Sequence, residues 1–159
     1  MVVLRCTAKL LARVGPAVAD PGQSAARLGD WYAKPFPVAQ RRFILLMSGP
    51  ARLPVVLPGS VAAGLARDFP DVLAGVLARL GVPAKTAAAE IDASREVVIA
   101  ATDSRSMLGS LNDFASLAQH HLRCDPGVDL MDLSVDLSET PVIALGFESP
   151  YEAVRRLLA

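Results

Sequence analysis

Histidine, cysteine and aromatic residues are all scarce in this chain of 159 residues, and each shortage removes a class of function. The two histidines, His120 and His121, are adjacent, so on a helix they point to different faces and cannot chelate one metal together. They also leave little material for a Ser-His-Asp device. His120 and Cys124 share a face at i, i+4, which is thin material for a metal centre, and no metal or cofactor is expected. Two cysteines, Cys6 and Cys124, are too few for a disulfide framework, so free buried thiols in a reducing cytoplasm are expected, with a single bridge as the alternative. Aromatics make up 5% of the chain, and no basic run exceeds two residues. The longest uncharged stretch, Leu53 to Ala66, contains Pro54 and Pro58 and is shorter than the ~20 apolar residues a membrane helix needs. Arg5 arrives too early for a secretory leader. No P-loop, Gly-x-Ser-x-Gly, His-Glu-x-x-His or Rossmann glycine fingerprint occurs.

What is present is apolar material: 52% hydrophobic residues against 20% charged, enough for a core and far from the composition of a disordered chain. The zero net charge hides a split. Residues 1–67 hold nine basic and two acidic side chains, net +7, and residues 68–159 hold seven basic and fourteen acidic, net −7. Either the basic half meets an anionic partner, or the halves pack so that their charges interleave over one surface.

Hydropathy patterning predicts an α+β fold. One domain spans residues 1–159, with a mixed, mostly antiparallel sheet of four to five strands and helices packed mainly on one face. Val2-Val3-Leu4 opens as a strand, and Thr7 caps a short helix that Gly15-Pro16 ends. Residues 16–27 read as a surface loop. A β meander covers Trp31 to Leu57 around the apolar run Phe43 to Met47; Pro35, Pro37 and Pro54 place its first and last strands at edges or make them begin irregularly. Phe69-Pro70 interrupts the helical region that follows Ser60. Thr86 to Ile91 gives a short helix, and Glu96 to Ala101 a strand. Met107, Leu111, Phe114 and Ala118 form the buried stripe of a long helix. Asp129 to Glu139 fits both a helical and an alternating pattern, and the spacing of its carboxylates favours a helix. Ser149, Pro150 and Glu152 form a capping box that starts the last helix.

The segment from Thr102 to Asp113 runs from a strand straight into a helix start. Unpaired N–H groups there, with Ser104, Arg105 and Ser106, suit a phosphate or carboxylate. Asn112 lies on the same helix, and Gly109 allows close approach at a cost of ~1 kcal/mol. Arg5, Lys9 and Arg41 supply cations, and Trp31 and Tyr32 beside Lys34 supply aromatic surface for nucleic acid. The alternative for these serines is capping alone, with Asn112 bonding a loop and Gly109 serving helix–sheet packing. The functional expectation is a non-catalytic binder of a phosphate-bearing ligand or nucleic acid. A protein-interaction module built on the charge-segregated halves, and a small metal-dependent nuclease or hydrolase using Asn112 and Asp113, are the alternatives.

The segments Leu4-Arg5-Cys6-Thr7-Ala8-Lys9-Leu10-Leu11, Leu28-Gly29-Asp30-Trp31-Tyr32-Ala33, Leu53 to Pro58 and Arg105 to Ala115 together resemble an uncharacterised bacterial family, domain of unknown function number 6933. The resemblance spans nearly the whole chain and implies a single domain; it brings no activity or catalytic residue with it. Where relatives often carry Asn-Asn before Arg-Ser, this chain has Asp103-Ser104, an aspartate that weakens an anion site at that helix start.

Overall fold

The computed structural model describes all 159 residues. Five strands form one sheet in the order β4-β3-β2-β1-β5, with β1 Val2–Cys6, β2 Trp31–Val38, β3 Arg41–Ser48, β4 Pro54–Pro58 and β5 Val97–Ala101. The meander β2-β3-β4 is antiparallel, as its turns at residues 39–40 and 49–53 require. β1 lies between β2 and β5 and runs parallel to both. The sheet is therefore evenly mixed rather than mostly antiparallel, because each parallel partner is reached through a crossover.

Side-chain alternation divides the sheet into two faces. Leu4, Trp31, Ala33, Ile44, Leu46 and Val55 point to the first. Against them pack α1 (Ala8–Val14), α2 (Leu65–Arg79), α3 (Ala84–Ala93) and α6 (Pro150–Leu157). Tyr32, Phe36, Phe43, Leu45 and Met47 point to the second face, which α4 (Arg105–Cys124) crosses with Met107, Leu111, Phe114, Ala118 and Leu122. So most helices share one face, while one long helix closes the other. α5 (Leu130–Ser138) covers the outer edge of β4, where the Ser134 hydroxyl accepts the Val56 N–H at 2.9 Å. An edge strand's unpaired donor is thereby satisfied by a helix side chain. Residues 129–139 are thus helical, and Asp129 caps them by accepting from the Met131 and Asp132 N–H groups.

Two proline expectations are corrected. Pro70 sits inside α2 without ending it. Phe69, Leu73, Val76 and Leu77 are buried on that helix, at roughly 1.5–3 kcal/mol each, and this outweighs the lost backbone bond of about 3 kcal/mol. Likewise β2 is the middle strand, not an edge. β1 pairs with it only as far as Ala33, so Pro35 and Pro37 fall on a stretch whose β1 side is free. Proline is tolerated there because no ladder donor is required on that side.

Candidate functional site

The free half of β2 creates the site. β1 ends at Cys6 and hands the chain to α1 on the first face, whereas β5 hands it to α4 on the second. Helices that leave adjacent parallel strands for opposite faces open a crevice beyond the strands' carboxyl ends, the usual ligand position in such sheets.

On one side of this crevice lies a closed polar network. The Arg5 Nε donates to Asp30 Oδ2 at 2.8 Å, and its Nη1 donates to the Ala101 carbonyl at 3.2 Å and lies 3.4 Å from Asp103 Oδ2. The Tyr32 hydroxyl donates to Asp103 Oδ1 at 2.8 Å. Ser24 donates to Asp30 Oδ1 at 2.6 Å and accepts the Val3 N–H at 2.9 Å. Burial, then the Asp103 carboxylate, holds the Tyr32 phenol well above its ordinary pKa. Donors and acceptors are matched, so the network ties β1, β2 and β5 together.

The other side is open. A cavity of about 580 Å³ lies between the start of α1, the free stretch of β2 and the middle of α4, and is lined among others by Thr7, Lys9, Lys34, Asn112, Ser116 and Gln119. Lys34 Nζ donates to Asn112 Oδ1 at 2.7 Å. Burial pushes the Lys34 ammonium below the usual lysine range, and the nearby Lys9 charge pushes it further. No carboxylate lines the cavity, and neither lysine forms an ion pair. The Thr7 Oγ1 is buried without a hydrogen-bond partner. A second cavity of about 490 Å³ flanks α4 beside Gly109, Asp113 and Ile143 and is largely apolar.

Folding gathers some of the expected site residues and scatters others. Lys9 and Asn112 share the cavity, whereas Arg5 lies outside its lining, in the closed network. At the start of α4, Ser104 accepts the Met107 N–H at 3.2 Å, and Ser106 accepts from Arg52 Nη2 at 3.2 Å. Arg105 is exposed and makes no hydrogen bond or ion pair. Arg41 is at the opposite end of the second face, where it donates to the Pro126 carbonyl at 2.7 Å and lies over the Phe43 ring. Trp31 is 1% exposed on the first face, edge-on to Phe69 at 5.3 Å between ring centroids. It is a core anchor, so the expected basic–aromatic surface for base stacking is corrected: strand alternation sends Trp31 and Tyr32 to opposite faces. Lys34 was absent from the expected site. Its signal was the alternation Tyr32, Lys34, Phe36, Val38, which places a lysine among buried apolar neighbours.

The closed network and the cavity are built from Arg5, Lys9, Asp30, Tyr32 and Asn112, drawn from segments distant in sequence that carry the resemblance noted above. A sequence model described as Domain of unknown function (DUF6933) matches residues 3–153. The chain belongs to the DUF6933 family. No curated protein and no solved structure matches it. Between the two halves of this DUF6933 chain, Arg5–Asp103 is the single ion pair joining sequence-distant groups, and Arg67–Asp68 joins neighbours. No helix is long and apolar enough to cross a membrane. His120 Nε2 lies 3.8 Å from Cys124 Sγ on α4.

Proposed function

We propose that the protein is a binder of a phosphate-bearing ligand, whose anionic group is held in the cavity between α1, β2 and α4. One observation carries this reading: Lys9 and Lys34 face one space that contains no carboxylate. Two cations held together without a counter-ion raise each other's cost of being charged, and a dianion between them removes that cost. Asn112 fixes Lys34, and the unpartnered Thr7 hydroxyl supplies a donor for a ligand oxygen. The start of α4 is the weaker place for an anion, because Ser104 is occupied as a cap and Asp103 puts a carboxylate beside it.

Calorimetric titration with inorganic pyrophosphate and with a single-stranded oligonucleotide tests this reading. Binding is expected to weaken with ionic strength, to be lost in Lys9→Gln and Lys34→Gln, and to persist in Lys85→Gln and Arg105→Ala. Loss in Arg105→Ala with retention in both lysine variants would move the site to the start of α4. Absence of binding by either probe would remove the proposal.

A further inference from the structure

We infer that Lys34 is a nucleophilic amine that captures carbonyl compounds bearing an anionic group, forming a reversible imine in the cavity it shares with Lys9. This deepens the anion-binding reading and rests on it: Lys9 holds the phosphate or carboxylate, and Lys34 reaches the carbonyl carbon.

Three observations carry the inference. Lys34 is the one lysine of three that is not exposed; Lys9 and Lys85 both are. Its Nζ has a single hydrogen-bond partner, the neutral Asn112 Oδ1 at 2.7 Å, and no carboxylate to hold it as an ammonium. A neutral amine can keep that bond through one N–H and leave its lone pair for attack. The third is its neighbourhood. Lys9 on α1 is the only other titratable group lining the cavity; the rest of the lining from β2 and α4 is prolines, Phe36, Asn112, Ala115, Ser116 and Gln119. Burial and the Lys9 charge both shift Lys34 toward the neutral amine, the form that attacks a carbonyl carbon.

The step balances without an outside oxidant or reductant. The Lys34 ammonium releases a proton to solvent, and its nitrogen bonds to the carbonyl carbon. The carbonyl oxygen takes up two protons, one from the attacking nitrogen and one from solvent, and leaves as water. The net change is ammonium plus carbonyl to protonated imine plus water.

Pyridoxal 5′-phosphate, which carries an aldehyde and a phosphate, is the probe, with borohydride reduction and peptide mass mapping as the readout. Lys34 is expected to be labelled roughly tenfold faster than Lys85 at pH 7. Pyridoxal without the phosphate should lose this preference, inorganic phosphate should protect Lys34, and Lys9→Gln should slow its labelling. Equal labelling of the three lysines overturns the inference. Phosphate binding that depends on Lys9, without faster Lys34 labelling, overturns the imine and leaves the anion site standing. Fast Lys34 labelling indifferent to phosphate overturns the inference as stated, because capture would then not depend on the anionic group.

Discussion

Glu90 ties the long connection between α1 and β2 to the rest of the molecule, and its removal tests how the site is positioned. Its carboxylate is 3% exposed on α3 and accepts the Arg27 N–H at 2.8 Å and the Leu28 N–H at 3.2 Å. Leu28 is fully buried outside any regular element, so side chains must serve its backbone: Glu90 takes its N–H, and Ser48 donates to its carbonyl at 2.7 Å. Hydrogen bonds to a charged acceptor contribute about 1.5–3 kcal/mol each. Two opposing effects reduce the sum. Glu90 has no ion-pair partner, and it lies in the last turn of α3, where the helix dipole disfavours an anion. Glu90→Ala should therefore cost about 2–4 kcal/mol. At about 2–4 °C per kcal/mol for a chain of this size, Tm should fall by roughly 5–15 °C. Glu90→Gln keeps the shape and one acceptor but sets an NH2 against the second N–H, and should cost about 1–2 kcal/mol. Urea unfolding followed by circular dichroism gives the energies, and hydrogen exchange over residues 16–28 gives the location. A loss below about 0.5 kcal/mol in Glu90→Ala, the range of ordinary surface changes, would refute the account of how Leu28, and with it Asp30, is held.

Two further outcomes follow from buried groups. Ser134→Ala leaves the Val56 N–H of β4 without its acceptor, and a loss of about 1–3 kcal/mol in urea unfolding is expected; an unchanged midpoint would show that α5 does not seal that edge. Burial pushes the Cys6 thiol up to about 12 from an ordinary value of 9.0, so its neutral form favours the folded chain. That contribution is complete below pH 9 and is lost as pH rises from 9 towards 12, because the unfolded thiol ionises first. Urea midpoints should fall over that window, less steeply in Cys6→Ala, and a disulfide reagent at pH 8 should titrate only the exposed Cys124 until denaturant is added.

The elements most readable in the sequence were those whose local chemistry agrees with their packing. The meander from Trp31 to Pro58 has turn residues between apolar runs, α4 has one apolar stripe, and α6 has its N-cap at Ser149, whose hydroxyl accepts the Glu152 N–H. The parallel ladder of β1 with β5 was not readable. It pairs Val2 with Val97, and two short apolar runs that far apart carry no mark of partner or direction. Pro35 and Pro37 correctly marked a missing neighbour, but the gap is half a strand long, set by where β1 stops. The site was half legible for the same reason. Lys9 and Asn112 were visible as residue types, whereas their meeting with Lys34 depends on α1 and α4 taking opposite faces.

The same geometry explains why the lysines of the cavity are left without a carboxylate partner. Arg5 is 14% exposed in its side chain and lies between Asp30 and Asp103, so its charge is neutralised where β1 and β5 end. Asp103 is held by Arg5 and Tyr32 on the β5 side, and Asp30 is held by Arg5 and Ser24. Lys9 and Lys34 are left opposite Asn112, a neutral acceptor that orients an ammonium without cancelling it. An asparagine in place of an aspartate at residue 112 is what keeps the cavity positive. A carboxylate there would close an ion pair with Lys34, hold it protonated, and leave Lys9 alone to face an anion beside a negative charge.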